Sequence, residues 1–130
     1  MTISTYEKLR RFNDLFSRND HVLTVINADP DAIASAMAVS RLLSRKVSTV
    51  TISNVNIINR PDNLAMVRLL KVAMIPFAET DLGQYNKIII VDSQPNHNEF
   101  MDQLEPDVII DHHPDTNAKA AFLDIRPHYG

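Results

Sequence analysis

Three short apolar runs stand out along the chain, and each of them ends in acidic or histidine side chains. They cover residues 22–26, 88–91 and 108–110. Apart from Thr24, each run is apolar at consecutive positions, which is typical of parallel strands that are covered on both faces. The pattern therefore predicts three buried strands that deliver polar side chains at their carboxyl ends. These side chains belong to Asn27-Ala28-Asp29-Pro30-Asp31, Asp92-Ser93 and Asp111-His112-His113.

Helical patterns separate these runs. Apolar residues at helical spacing predict a helix over residues 6–16, and Asp29 as N-cap with Pro30 behind it predicts a second helix that reaches about Arg45. Alternating strands and helices indicate one α/β domain, a Rossmann-like parallel sheet with helices on both faces. The other predicted elements are a strand at 47–52, an Asn-rich loop at 53–60, a helix from Pro61, an edge strand at 75–77, a turn at 81–85, a short helix at 96–104 and a strand at 120–125.

The composition is that of an ordinary globular domain. The 130 residues are 45% hydrophobic and 22% charged, and the net charge of −3 gives no sign of general nucleic-acid binding. There is no cysteine, so disulfides and thiolate metal sites are excluded. No apolar run approaches the roughly 20 residues of a membrane span, and no signal-peptide core opens the chain. We therefore expect a cytoplasmic location and no membrane contact.

Glycine is scarce, and this excludes two common ways of binding phosphate. Only Gly83 and Gly130 occur, so neither a P-loop nor a glycine-rich dinucleotide turn can be built. Any phosphate must be held by side chains, by metal ions or by a helix N-terminus.

The polar residues that follow the three strands predict a metal site. In an open parallel sheet, ligands bind beyond the carboxyl ends of the strands. Several carboxylates gathered there would repel one another unless divalent cations neutralised them. Carboxylate and imidazole ligands without thiolate suit Mn²⁺, Mg²⁺, Fe²⁺ or Zn²⁺, and two such ions about 4 Å apart form a common phosphoryl-hydrolysis site. The candidate residues are Asp29, Asp31, Asp92, Asp111, His112 and His113.

Each candidate also has a structural interpretation. Asp29 could be only an N-cap, and Asp31 could serve only the helix dipole. Asp92-Ser93 could cap the next short helix. His112-His113 could be an exposed pair at a strand end, just as His21, His97 and His128 are expected to be individually. Three strand ends at one sheet edge, with no basic residue nearby in sequence, favour the metal site over these alternatives.

The same residues resemble the DHH phosphoesterases, a family of RecJ-like exonucleases, oligoribonucleases that also act on pAp, cyclic dinucleotide phosphodiesterases and exopolyphosphatases. The likeness covers nearly the whole chain after residue 20. Residues 29–35 resemble the first motif, D-x-D-A-[IL]-[GA]-S, and 91–93 resemble the second. Asp111-His112-His113 matches the third motif, which gives the family its name.

The resemblance implies a role for each residue. Asp29 would bind one metal ion, Asp31 and His112 the other, and Asp92 would bridge the two. His113 would contact the substrate phosphate, and Asp111 would orient its neighbours, so these two are the catalytic candidates. The family reaction implies a hydroxide, activated by two metal ions, that attacks phosphorus. The expected cofactor is Mn²⁺, with Mg²⁺ as the alternative.

The chain departs from the family pattern in two places. The first motif usually has a histidine four residues before its first Asp, where this chain has Val25. His21 is no substitute, since it lies about 13 Å further down the strand at roughly 3.3 Å per residue. The fourth motif and the C-terminal substrate-binding domain would lie beyond Gly130, and neither Asp115 nor Asp124 matches a ligand position. We therefore expect residues 1–130 to be one partial DHH N-terminal domain.

Three functions are open at this point. The first is hydrolysis of a small phosphodiester, a short single-stranded oligonucleotide or a polyphosphate, with weak or no activity from these residues alone. The second is a non-catalytic regulatory domain that binds nucleotide or metal, which Val25 favours. The third, an interaction module, leaves the carboxylates unexplained. A homodimer is a further expectation.

Overall fold

The computed structural model describes residues 4–56, 61–70 and 73–127. Helices and strands alternate through these ranges, and short 3-10 turns occupy several of the connections. The α-helices and strands are α1 Thr5–Asp14, β1 His21–Ile26, α2 Pro30–Leu43, β2 Thr49–Asn54, α3 Pro61–Leu70, β3 Met74–Pro76, β4 Lys87–Val91, β5 Val108–Asp111 and β6 Phe122–Ile125.

All the described strands run parallel in one sheet, in the order β3-β2-β1-β4-β5-β6. This confirms the α/β Rossmann-like prediction. Strands β1, β2 and β3 follow one another toward one edge of the sheet, and β4, β5 and β6 follow one another toward the other edge. The order of strand addition therefore reverses between β1 and β4. In such sheets the crevice at the reversal point is where ligands bind. Val25 of β1 is in register with Ile90 of β4, so the loops that follow these two strands start side by side.

The sheet carries an apolar core on each face. Val22 and Ile26 of β1 belong to the first core, which packs α1 and α2 onto the sheet. Leu23 and Val25 belong to the second core, together with Met101. Alternate side chains of β1 therefore point into opposite cores. Because both faces of the strand are buried, apolar residues occupy consecutive positions and the sequence shows no alternation of apolar and polar residues.

The predicted helix at 96–104 is wrong in type. Two short 3-10 turns, Pro95–His97 and Met101–Gln103, form there instead. Asn98 separates them with an extended backbone, and its side chain accepts a hydrogen bond from the N–H of Phe100 at 2.8 Å. A side chain that bonds its own neighbourhood in this way competes with a continuous helix. Helical cover on the second face is therefore made of 3-10 turns.

The other boundaries agree to within a few residues. β2 starts at Thr49 rather than residue 47, because the N–H of Val47 still donates to the carbonyl of Leu43 at the end of α2. The edge strand is confirmed at Met74–Pro76, on the outside of the sheet. Residues 57–60 of the predicted loop and His128 lie outside the described residues. In the ranges that are described, no helix has both the length and the apolar character needed to cross a bilayer.

Candidate metal centre

The first motif lies where β1 passes into α2. Asp29 is the N-cap of α2, and its carboxylate accepts a hydrogen bond from the N–H of Ala32 at 2.8 Å, with Pro30 in the first turn. Asn56 holds this junction: its Oδ1 accepts from the N–H of Ala28 at 2.7 Å, and its Nδ2 donates to the Ala28 carbonyl at 2.9 Å. The capping role of Asp29 is confirmed. Capping uses only part of the acceptor capacity of a carboxylate, so it does not exclude metal binding.

The second motif lies at a sharp turn after β4. Asp92 has a φ of 57°, in the left-handed region that aspartate and asparagine tolerate better than most residues. Its N–H donates to the carbonyl of Ile110 at 2.8 Å, which joins this turn to the end of β5. The Asp92 side chain is 7% exposed. The turn therefore brings a nearly buried carboxylate next to the strand that carries the third motif.

The third motif completes a compact group of acid and imidazole side chains. His112 Nε2 lies 2.6 Å from Asp92 Oδ1, and His113 Nδ1 lies 2.7 Å from Asp111 Oδ1. One potential ligand atom from each of these residues lies within 4.8 Å of the others. Carboxylate and imidazole groups at this spacing could hold a divalent cation.

The two carboxylates of this group have opposite electrostatic environments. Burial raises the pKa of Asp92, the charge of Asp29 raises it further, and the hydrogen bond from His112 only partly offsets these effects. Burial also acts to raise the pKa of Asp111, but hydrogen bonds from Gln94 and His113 outweigh it and hold that pKa below its usual value. Asp111 is therefore favoured as an anion, whereas His112 and His113 only partly compensate the effects of burial and of Asp29 on Asp92, so further compensation would stabilise the charge of Asp92. A metal ion beside Asp92 would supply that compensation.

The remaining metal-ligand candidates lie around this group. Asp31 lines a cleft of about 400 Å³ together with Asp92 and His112. Asp29 is not among the described residues that line this cleft, although its charge acts on Asp92. The compact group thus contains two of the four predicted ligands, Asp92 and His112. Asp31 faces the same cleft, and Asp29 lies at the adjoining helix start.

One of the structural interpretations is wrong. The N-cap of the turn after β4 is Gln94, so Asp92-Ser93 does not cap it. His97 is exposed, as expected, but it is not isolated, because its Nδ1 accepts from the N–H of Gln94 at 3.1 Å and its ring meets that of His113 edge-on at 5.5 Å. His21 lies away from the site, at the start of β1, and contacts Thr49.

Several residues of the site were missed in the sequence. Gln94 and Asn56 are polar residues in loops, and nothing in their local pattern marks them. Arg126 lines the cleft together with Asp124, the acid that matches no ligand position of the family, because β6 is parallel to β5. The Arg126 N–H donates to the carbonyl of Asp111 at 2.8 Å. The rule that ligands bind at the carboxyl ends of parallel strands would have pointed to Arg126 if applied to β6.

Val25 is packed as a core residue. It is fully buried in the second core, and its strand partners are Ser53 on β2 and Ile90 on β4. An imidazole there would have to replace apolar contacts. The structure therefore gives Val25 a packing role at the position where the first motif usually has histidine.

The fold and the acid and histidine group together define an α/β domain with a candidate site for a divalent metal ion. Residues 21–129 match the family described as "DHH family, N-terminal domain", and the chain belongs to this family. The chain is also similar to the uncharacterized protein MJ1633 of Methanocaldococcus jannaschii, at 37% identity over 109 residues. That match covers 84% of this chain and 23% of the relative, so the chain spans about a quarter of that protein. The DHH family generally includes phosphoesterases, and the acid and histidine group fits a site for a divalent metal.

Proposed function

We propose that this domain hydrolyses a phosphoester bond with two divalent ions, Mn²⁺ or Mg²⁺. Its substrate is a small phosphodiester, a short single-stranded oligonucleotide or a polyphosphate. The observation that carries the proposal is the contact of Asp92 with His112 at the reversal point of the sheet, next to the cleft lined by Asp31. In the proposal Asp29 would hold one ion, Asp31 and His112 would hold the other, and Asp92 would be a ligand that both ions share.

The donor set, which consists of carboxylates and imidazole without thiolate, suits divalent ions. Bound divalent ions would supply charge neutralisation and Lewis-acid activation of water. The chain's own residues hold and orient the reacting groups: Asp111 keeps His113 in place through the 2.7 Å contact, and His113 contacts the substrate phosphate. The cleft volume of about 400 Å³ lies within the range of small-molecule sites.

A second function is favoured by Val25. Because its side chain is fully buried among apolar residues, the first metal position would be left with carboxylates and water. A domain with one weak metal position suits the regulatory alternative, in which nucleotide or metal binds without turnover. Metal stoichiometry and catalysis measured on the same preparation separate the two functions.

The test is calorimetric titration with Mn²⁺ combined with hydrolysis of bis-p-nitrophenyl phosphate. Binding and turnover that are both lost in Asp31→Asn, but kept in Asp102→Asn, would support the hydrolase. Asp102 is an exposed carboxylate in the 3-10 turn Met101–Gln103, which makes it a matched control. Binding without turnover in the full-length protein would support the regulatory function. If the protein neither binds Mn²⁺ nor cleaves the ester, the metal-dependent phosphoesterase is ruled out.

A further inference from the structure

A buried glutamine beside the candidate metal centre has all of its hydrogen-bonding capacity satisfied. Gln94 is fully buried in the loop after β4. Its Nε2 donates to Asp111 Oδ2 at 2.8 Å and to the Pro114 carbonyl at 3.0 Å. Its Oε1 accepts from the N–H of Thr116 at 2.9 Å and from the Thr116 hydroxyl at 2.6 Å. Two donors and two acceptor positions are all that a side-chain amide offers, so none is left over.

These bonds join the two loops on which the centre is built. The loop after β4 carries Asp92, and the loop after β5 begins with His112 and continues through Pro114 to Thr116. The amide has only one workable orientation, because a flip would place its NH₂ group against the N–H of Thr116 and its oxygen against the Asp111 carboxylate. Gln94 thus sets the position of one loop relative to the other.

The same amide determines which hydrogen bond Asp111 makes to His113. Gln94 occupies Oδ2 of Asp111, and His113 Nδ1 occupies Oδ1 at 2.7 Å. The Asp111 side chain is 0% exposed, so it has no solvent to exchange for these partners. An ionised carboxylate only accepts, so the hydrogen in the second bond must come from His113 Nδ1. In the neutral ring the lone pair is then on Nε2.

We propose that Gln94 is a positioning residue of this centre. Its amide fixes the Asp111 carboxylate, and Asp111 in turn fixes the ring and the tautomer of His113. The tautomer part of this inference stands on the hydrogen bonds alone, whereas its consequence for metal binding rests on the function proposed above. The two parts can therefore fail separately.

The first measurement reads the tautomer of His113 directly in the metal-free protein. Long-range ¹H–¹⁵N spectra at about pH 8.5, where an ordinary imidazole is neutral, distinguish Nδ1–H from Nε2–H. We expect Nδ1–H in the wild type and a shift toward Nε2–H in Gln94→Met, which keeps the volume of the side chain but removes its hydrogen bonds. Gln103→Met makes the same chemical change at an exposed position, and Val39→Ala perturbs the first core away from the site. Neither control should change the tautomer.

The second measurement is Mn²⁺ affinity by calorimetry on the same variants. Groups that orient metal ligands typically contribute ten-fold or more to affinity. Because Gln94 joins the loop that carries Asp92 to the loop that carries His112, Gln94→Met should raise the dissociation constant by roughly ten-fold relative to both controls. An unchanged tautomer in folded Gln94→Met would overturn the inference. A shifted tautomer with unchanged Mn²⁺ affinity would overturn the link between Gln94 and the metal centre. A shifted tautomer in a protein whose wild type binds no Mn²⁺ would support the positioning of His113 and reject the proposed metal function.

A milder variant covers the case in which Gln94→Met does not fold. Thr116→Val removes only the 2.6 Å contact to Oε1 and keeps the backbone N–H bond. It should produce a smaller tautomer shift in the same direction. If Thr116→Val is folded and leaves His113 in the wild-type tautomer, the inference is overturned by that variant instead.

Discussion

At the scale of single residues, Asp92 has both a backbone role and a side-chain role in the candidate metal centre. Its left-handed backbone turns the chain out of β4, and its carboxylate contacts His112 at 2.6 Å. Burial and the charge of Asp29 raise the pKa of Asp92, so the ionised form of this carboxylate destabilises the folded protein. The acidic motif was predictable from the sequence, because it follows an apolar run. The φ of 57° and the contact with His112 were not, since both depend on how two strands pack side by side.

Asp92→Asn should stabilise the metal-free protein and weaken the proposed metal site. Asparagine tolerates the same backbone and can still accept from His112, but it removes the repulsion with Asp29. We expect a higher free energy of unfolding at neutral pH, measured in urea, and the loss of two-metal occupancy by Mn²⁺ calorimetry. Asp102→Asn is the control and should change neither quantity. Two bound ions in Asp92→Asn would reject the bridging role.

The raised pKa of Asp92 also predicts how the stability of the protein depends on pH. A carboxyl whose pKa is raised by folding contributes stability that is complete below its unfolded pKa and is lost as the pH rises through the folded value. Without metal, the wild type should therefore lose stability across that rise, whereas Asp92→Asn should lose less. Urea unfolding at a series of pH values measures both slopes. Parallel slopes for the two proteins would show that Asp92 is not the group responsible.

At the scale of elements, the buried strands were easier to predict than the covering turns. The runs behind β1, β4 and β5 are long and apolar enough to indicate strands on their own. The sequence pattern at 96–104 predicted a helix, yet the local hydrogen bond from the N–H of Phe100 to Asn98 Oδ1 competes with it, and two 3-10 turns form instead. Side-chain competition of this kind depends on a single rotamer, which periodicity does not report.

The junction of β1 and α2 yields the next prediction. Val25→His should strengthen Mn²⁺ binding, if the first motif is aligned correctly, and weaken the metal-free fold. The expected cost is about 1–3 kcal/mol in the free energy of unfolding, because a fully buried apolar side chain is replaced by a polar one. Val25→Gln introduces a polar group without an imidazole and should give the cost in stability without the gain in affinity. Unchanged Mn²⁺ affinity in folded Val25→His would contradict the alignment.

At the scale of the whole molecule, the parallel topology separates two groups of polar residues. The candidate metal centre lies at the carboxyl ends of the strands, here called the carboxyl edge, and a stabilising hydrogen-bond cluster lies at their amino ends, the amino edge. The parallel order puts the three motifs at the carboxyl edge, which the sequence predicted from strand ends. At the amino edge, the buried carboxylate of Asp20 has several hydrogen-bond partners, which the apolar pattern did not predict. Its carboxylate accepts from the N–H of Ser17 at 2.8 Å and from Asn86 Nδ2 at 2.7 Å, and Lys87 Nζ lies 3.9 Å away. These partners can be identified only once the strand order is known, because Asn86 is 66 positions away from Asp20 in the chain.

Asp20→Asn should reduce global stability without changing the metal centre. Burial acts to raise the pKa of Asp20, but hydrogen bonds from Ser17 and Asn86 and the charge of Lys87 outweigh it, so the pKa lies below its usual value. A carboxyl with a lowered pKa contributes stability that is present above its unfolded pKa and is lost as the pH falls through the folded value. The variant should therefore be less stable at neutral pH, by about 1–3 kcal/mol from the buried bond it loses, and should lose less of its remaining stability in acid.

Urea unfolding of Asp20→Asn between neutral and acidic pH measures this, with Asp14→Asn at an exposed position of α1 as the control. Mn²⁺ affinity should stay at the wild-type value, because Asp20 lies at the edge of the sheet opposite Asp92. A parallel loss of Mn²⁺ affinity would mean that the two edges are coupled through the strands. The separation of stability from chemistry that the topology implies would then be wrong. An acid dependence equal to that of the wild type would instead assign acid unfolding to other carboxylates, of which Asp111, with its lowered pKa, would be the first to examine.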